Sequence, residues 1–331
     1  PGEVLFDPAC GTGGFLTYAM RHMRDNHIKR PEDETLMQAS LRAVEKKPLP
    51  HMLCVTNMLL HGVEEPSWVR HDNTLARPLV SWGQADKLDI VLSNPPFGGK
   101  EEDGIENNFP TFRTRETADL FLALIIRLLK DNGRAAVVLP DGSLFGEGIK
   151  TRLKEHLLEE CNLHTIVRLP NSVFKPYASI GTNLLFFEKG TPTQDIWYWE
   201  HRVPETQKTY SMTKPIRLEH LDDCAAWWGG PNREGRQESE RAWKVPIRTI
   251  IDTARTNAQP HWNEADKQAR REAGLRMRVG DAETEARRLD TIGGSIKDRE
   301  EATALKAEAA NLRAEAVKAG AASRQARSTG D

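Results

Sequence analysis

Short apolar segments alternate with helical patterns from residue 1 to about residue 190, and this alternation limits the fold more than any other feature of the chain. Val4–Phe6 reads as a strand, followed by a glycine-rich turn and a helix from about Gly14 to Asn26. Leu41–Val44 reads as a strand, His51–His61 as a helix and Asp89–Leu92 as a strand. Ala118–Lys130 has the period of an amphipathic helix, which Asp131-Asn132-Gly133 would close. Ala135–Leu139 is the next strand, Ile149–Glu160 a helix, and His164–Leu169 and Asn183–Glu188 are further strands. Near-continuous apolar strands separated by helices predict an α/β architecture, with a parallel sheet covered on both faces.

Residues 191–262 contain Trp197, Trp199, Trp227, Trp228, Trp243 and Trp262 among many turn residues, which predicts an irregular extension packed on the main domain. Residues 263–331 are rich in Ala, Arg and Glu. Within them EATALKAEAANLRAEAVKAG is a strong helix former with Leu305, Leu312 and Val317 as sparse anchors. Such a helix has little to bury in its own domain. It is either a solvated tail or a helix that docks on a partner.

No apolar run approaches the roughly 20 residues that span a bilayer, and no secretory signal is present. Cys10, Cys54, Cys161 and Cys224 lie far apart with no C-x-x-C pair. That spacing argues against a disulfide framework or a zinc site and suits a reducing, cytoplasmic location. The formal net charge is -2. A protein that grips DNA unaided carries a basic excess, so a local basic face or a partner would have to do much of the holding here. The sequence starts at Pro1, without Met, directly before a strand, and this predicts an upstream segment.

FDPACGTGGF, Phe6 to Phe15, follows the first strand and opens a helix, but it is not the G-x-G-x-x-G of nicotinamide enzymes. Gly11, Gly13 and Gly14 allow positive φ and close approach of the backbone to a ligand. The helix N-terminus beyond them offers free N–H groups to a negative group. Asp7 sits at the carboxyl end of the strand, where open α/β sheets bind ligands. A carboxylate there suits a ligand with a positive amine better than a pyrophosphate. S-adenosylmethionine carries such an amine, a carboxylate for the helix end and no phosphate. The candidate cofactor residues in this stretch are Asp7, Pro8, Ala9, Gly11, Thr12, Gly13, Gly14 and Phe15. The alternative is a tight turn made for packing. Glu45, just past the second strand, is placed to bridge ribose hydroxyls. Asp72 is placed to accept from the adenine amine of the cofactor, and Asn73 competes for that role because HDNTL permits either alignment.

DIVLSNPPFGGK, Asp89 to Lys100, ends a buried strand on an amide, two prolines and a ring. Two prolines cannot continue a sheet ladder. The exocyclic amine of adenine is a poor nucleophile because its lone pair is delocalised into the ring. Two acceptors aimed at its N–H bonds would localise that pair, namely the Asn94 side-chain oxygen and the Pro95 carbonyl. Pro95 and Pro96 fix φ and stiffen the loop, and Phe97 can lie against the base. Methyl transfer from a sulfonium needs no metal and no covalent enzyme intermediate, so catalysis would rest on positioning and electrostatics. In duplex DNA the adenine must be flipped out. Cytosine C5 chemistry would require a cysteine in this loop, and there is none. Cys10 reads as a small packing residue.

Taken together, DPACGTGGFL, VEKKPLPHMLCVTNMLLHG, HDNTL, SNPPFGG, TADLFL, GRAAVVLPDGSLFG and RLPNSVFKPYASIGTNLLFFEKG resemble, in order, the modification subunit of type I restriction–modification systems. These are gamma-class, amino-methylating DNA methyltransferases, and the likeness covers about residues 1–190. It implies a class I S-adenosylmethionine-dependent methyltransferase (Rossmann-like) sheet and adenine-N6 methylation of DNA. By the same resemblance Phe174 stacks the flipped base, its alternative being a core phenylalanine. The partners implied are DNA, a specificity subunit that reads the site and meets the Ala-rich tail, and a nuclease subunit. Two modification subunits would serve each specificity subunit, with no membrane involved. The family carries a helical domain and a further cofactor segment before its glycine loop, and the present sequence lacks both. This chain alone is therefore expected to bind the cofactor poorly. Competing readings are a protein-glutamine N5 methyltransferase, a catalytically silent scaffold subunit, and a stand-alone methyltransferase that reads its own site.

Overall fold

Nine strands of the described residues, 1–292 and 296–330, hydrogen-bond into one sheet in the computed structural model. β1 (Leu5–Asp7) leads to α1 (Gly14–Asn26) and α2 (Pro31–Ala39), and β2 (Leu41–Glu45) to α3 (Pro48–Leu60). β3 (Val69–His71), β4 (Leu88–Ser93), α4 (Thr117–Leu128) and β5 (Leu129–Pro140) follow. After α5 (Asp141–Phe145) and α6 (Ile149–Glu160) come β6 (Cys161–Leu169), β7 (Thr182–Lys189), β8 (Ile196–Glu200), α7 (Asp222–Trp227) and β9 (Ala242–Val245). The strand order is β3-β2-β1-β4-β5-β7-β6-β8-β9. β1 therefore lies between β2 and β4, with Leu5 opposite both Leu41 and Ile90.

The sheet is mixed, which corrects the expectation of a parallel one. β7 runs antiparallel to both β5 and β6, and β9 antiparallel to β8. No crossover helix separates Leu169 from Thr182, so β6 turns back into β7. The apolar run of β7 reads the same in either direction, and periodicity does not reveal strand sense. α4 is buried almost all round, with only Arg127 exposed, so it is a central helix rather than an amphipathic one. It ends at Leu128 because Leu129 already pairs with Leu88. Asp131-Asn132-Gly133 does not cap it. These residues form an irregularity inside β5, where Asn132 has φ 64° and a Cβ on Gly133 would lie 2.9 Å from the Leu88 carbonyl oxygen.

The sheet also continues past residue 190. Trp197 and Trp199 lie on β8 and Trp243 on β9, where Tyr198 stacks on Trp243 at 5.4 Å. Trp227 packs on Trp199 at 5.0 Å, Trp228 on Phe186 at 4.8 Å, and the Arg236 guanidinium lies over both indoles. These contacts are what the tryptophan-rich stretch buries. The first compact unit accordingly runs Pro1–Ile247, and the second Arg248–Asp331.

The second unit pairs α8 (Ile247–Ile292) with α9 (Ile296–Gly330), and Trp262 falls within α8. The Ala-rich composition predicts little to bury within the tail itself. Instead Leu275, Val279 and Ala282 form a seam with Ala309, Leu312, Ala316 and Ala319. Small alanines let the two backbones approach closely. Arg271–Glu315, Arg278–Glu308, Lys306–Asp290 and Arg327–Asp266 pairs flank the seam in antiparallel order. Leu312 is in the seam and Leu305 packs against it, whereas Val317 is exposed.

The main core lies around α4 and the inner strands, with Phe187 and Leu124 fully buried. Phe187→Ala in β7 should lower unfolding free energy by about 3–5 kcal/mol, measured by urea denaturation. A loss under about 1 kcal/mol would show that this core collapses around the missing ring.

Candidate functional site

Strand order brings the sequence-predicted residues to one edge. β1 and β4 are neighbours whose chains leave towards opposite sides of the sheet, and such a switch point opens a crevice at the carboxyl ends of the strands. The glycine loop follows β1, Glu45 ends β2, Asp72 and Asn73 follow β3, and Asn94 follows β4. Two cavities of this unit, about 270 and 460 Å³, are lined by sheet-face residues such as Phe6, Trp68 and Trp82, or Leu5, Ile90 and Arg134. Neither includes a candidate residue.

Gly11 and Gly13 have φ of 55° and 84°, and the Gly13 N–H donates to the Cys10 carbonyl at 2.8 Å. A Cβ on Gly13 would lie 2.8 Å from the Cys54 sulfur on α3, so glycine is required both by φ and by space. A Cβ on Gly11 or Gly14 would meet nothing within 4 Å, which leaves that side of the loop bare. No side chain caps the start of α1, and its first turn holds no acid. Thr12 and Phe15 are exposed, Ala9 is half-buried, and Pro8 is buried with its carbonyl accepting from Thr74 Oγ1 at 2.7 Å. The Thr12 carbonyl accepts from Asn57 Nδ2 at 3.1 Å. Cys10 Sγ lies 3.7 Å from Cys54 Sγ, and this contact, with burial, keeps the Cys10 thiol protonated, as suits a packing residue.

Asp7 is buried, and its Oδ1 accepts from the Ala9 N–H at 3.1 Å. Burial raises its carboxyl to about 7, outweighing the Ala9 N–H and Ser93, while Glu45 adds repulsion in the same direction. The Ser93 hydroxyl is itself buried with no hydrogen bond of ordinary geometry, so its effect is small beside the desolvation of Asp7. Glu45 fastens the loop to β2. Its Oε2 accepts from the Gly11 N–H at 2.9 Å and its Oε1 from the Lys47 N–H at 2.8 Å.

The two residues of HDNTL separate in role. Asn73 caps a turn by accepting from the Leu75 N–H at 3.0 Å and donates to Glu101 at 3.3 Å. Asp72 is exposed and paired with Arg70 at 2.5 Å. On β4's loop Asn94 and Pro96 are exposed, Pro95 is buried, and Phe97 is half-buried. Phe97 and Phe174 meet edge to face with centroids 5.3 Å apart, although they come from different loops. Glu101, buried beside Asn73, has no counterpart among the sequence-predicted residues. It stands in GGKEED, a polar run that reads as solvated, and only its long-range partners reveal it.

The sequence matches the N-6 DNA methylase family over residues 1–270. It is 58% identical over 253 residues to the EcoEI type I restriction enzyme methylase subunit of Escherichia coli, covering 76% of this chain and 51% of that one. The chain belongs to the N-6 DNA methylase family. A second relative, the StySPI methylase subunit of Salmonella potsdam, is 32% identical, covering 79% of this chain and 52% of the relative. Among solved structures, a modification subunit of a putative type I restriction enzyme from Vibrio vulnificus superposes with TM-score 0.69 at 46% identity, over 75% of this chain and 52% of that one. The EcoKI M protein superposes with TM-score 0.61 at 31% identity, over 72% and 52%. The chain thus spans about half the length of the curated relatives it matches. The chain shares the α/β sheet fold of these type I modification subunits. No described helix is long and apolar enough to cross a membrane.

A raised carboxyl has a definite linkage sign. In the unfolded chain Asp7 ionises near its ordinary value of about 4; in the folded chain it ionises near 7. Its contribution to stability is therefore fully present below about pH 4 and is lost as pH rises towards about 7. Asp7→Asn should stabilise the protein on the order of 2–4 kcal/mol at pH 8 and little at pH 4. Equal effects in denaturation curves at the two pH values would show that Asp7 carries no desolvation penalty.

Proposed function

We propose that this chain is the catalytic part of a modification subunit that methylates the N6 amine of adenine in DNA, using S-adenosylmethionine, within a type I restriction–modification complex. The observation that carries the reading is the meeting, at the β1–β4 switch point, of a bare glycine loop with the Asn94–Phe97 loop and the Phe97–Phe174 pair.

The residues present fit the cofactor. The open side of Gly11 and Gly14 leaves room for close approach, and the uncapped start of α1 can receive a carboxylate. Asp7 lies beneath the loop, where a bound amine would draw its raised carboxyl to the ionised form, Glu45 keeps acceptor capacity for ribose hydroxyls, and exposed Asp72 is the better acceptor for the adenine amine. When bound, S-adenosylmethionine supplies an electrophilic methyl on a sulfonium. The chain's own work is at the base. Asn94 Oδ1 and the Pro95 carbonyl accept the two amine N–H bonds, localising the nitrogen lone pair and taking up the positive charge that develops on it. Phe97 and Phe174 hold the ring of a flipped adenine. With a net charge of -2, grip on DNA comes largely from partner subunits, the specificity subunit first among them.

The test supplies methyl-labelled cofactor and DNA to the full-length protein, with any upstream segment restored, assembled with its specificity subunit. Label should appear as N6-methyladenine. Asn94→Ala should cut the single-turnover rate about 100-fold or more, with cofactor affinity retained. Label on protein instead would favour glutamine methylation, and an undiminished rate in Asn94→Ala would remove the acceptor mechanism.

A further inference from the structure

The stretch after Phe97 is pinned in two directions. Lys100 bridges to Glu116, the Glu101 N–H donates to the Arg115 carbonyl at 2.9 Å, and the Thr117 hydroxyl donates to the Gly99 carbonyl at 2.9 Å. Between these paired arms, residues 102–114 make a flap whose Phe109 and Phe112 are buried. Asn108 on the flap donates to the Leu75 and Ala76 carbonyls at 3.0 and 2.9 Å.

The Glu101 side chain reaches the other way. It is only 8% exposed. Its Oε2 accepts from Lys46 Nζ at 3.1 Å and Asn73 Nδ2 at 3.3 Å, and its Oε1 lies 3.4 Å from the Thr117 hydroxyl oxygen, whose proton goes to the Gly99 carbonyl. Lys46 directly follows Glu45, and Asn73 directly follows Asp72. One buried carboxylate therefore ties together the loop that carries the base acceptors, the end of β2 and the end of β3. Burial alone would lower the Lys46 ammonium, but Glu102 and Glu101 outweigh it and the net shift is upward, so Lys46 stays charged at neutral pH. A buried carboxylate needs such partners, so the Lys46 and Asn73 donors specify where Glu101 sits and, with it, the loop four residues after Phe97.

We propose that Glu101 is a positioning residue for methyl transfer. It locks the Asn94–Phe97 loop to the wall bearing Glu45 and Asp72, so that the base acceptors and the cofactor keep one register. This rests on the function proposed above. Glu101 itself touches neither base nor cofactor. It acts through alignment, and transfer is sensitive to misplacements of about 1 Å.

The experiment uses the complete complex and compares wild type with Glu101→Ala, Glu101→Gln, Lys46→Met and the Glu101→Ala/Lys46→Met double variant. Single-turnover methylation is measured at saturating cofactor and DNA, with cofactor Kd and thermal midpoint measured alongside. Glu101→Ala should slow transfer about tenfold or more while cofactor Kd changes less than about threefold. Glu101→Gln, which keeps an acceptor oxygen for Asn73, should lie between it and wild type. The double variant should be no slower than Glu101→Ala, because the two side chains act as one unit. A Glu101→Ala rate within about twofold of wild type, or a loss that merely tracks cofactor affinity or unfolding, overturns the proposal. Where Glu101→Ala does not fold, Lys46→Met and Glu101→Gln carry the test: effects that multiply in their double variant overturn it, and a shared, non-additive loss supports it. Wild type that makes no N6-methyladenine would overturn the functional reading itself, and that outcome involves no Glu101 variant.

Discussion

β1 pairs with β4 across a long stretch of chain, with Phe6 opposite Val91, while its other edge pairs with β2. The loops that leave β1 and β4 must then diverge, and the crevice between them is a consequence of topology alone. The glycine loop and the Asn94–Phe97 loop meet at that neighbourhood, and the registers of β2 and β3 bring the remaining residues to it. The β1–β2 register places Asp7 opposite Ala43, which brings Glu45 within reach of the Gly11 N–H. The β2–β3 register places Glu45 opposite His71, which brings HDNTL to the same edge. Without β4 beside β1, the glycine loop and SNPPF would each be an isolated turn.

The electrostatics of the crevice are set by burial more than by ion pairs. Among the described residues Asp7 has no cationic partner, and its desolvation is what raises its carboxyl. Glu45 and Glu101 are also buried, yet both are satisfied by donors from other segments. Glu45 ties the glycine loop to β2, and Glu101 ties the loop after Phe97 to Lys46 and Asn73.

Outside the site, the same chain uses two different ways of burying weakly apolar sequence. In the first unit, tryptophans on β8, on β9 and at the end of α7 pack against the β7–β9 part of the sheet, with the Arg236 guanidinium lying over Trp227 and Trp228. In the second unit, alanines replace large side chains, and close helix approach substitutes for side-chain volume. The flanking ion pairs there are mostly exposed and individually contribute little. They fix the antiparallel register of the hairpin more than its stability.

Much of the site is legible in the amino-acid sequence. Positive-φ glycines before a helix, an apolar strand ending in Asn-Pro-Pro-Phe, and the alternation of strands with helices are local signals, written in steric and hydrogen-bonding rules that act over a few residues. They place the glycine loop, Glu45, Asn94 and most element boundaries within a residue or two. What they miss is non-local. The reversed sense of β7, the bulge at Asn132, the continuation of the sheet through β8 and β9, and the alanine seam all depend on which segments pair, and apolar periodicity carries no direction or partner. Glu101 shows the limit most plainly. In the chain it is one acid beside another; only folding brings Lys46, Asn73 and Thr117 to its two oxygens, because a buried carboxylate must collect donors from wherever the backbone delivers them.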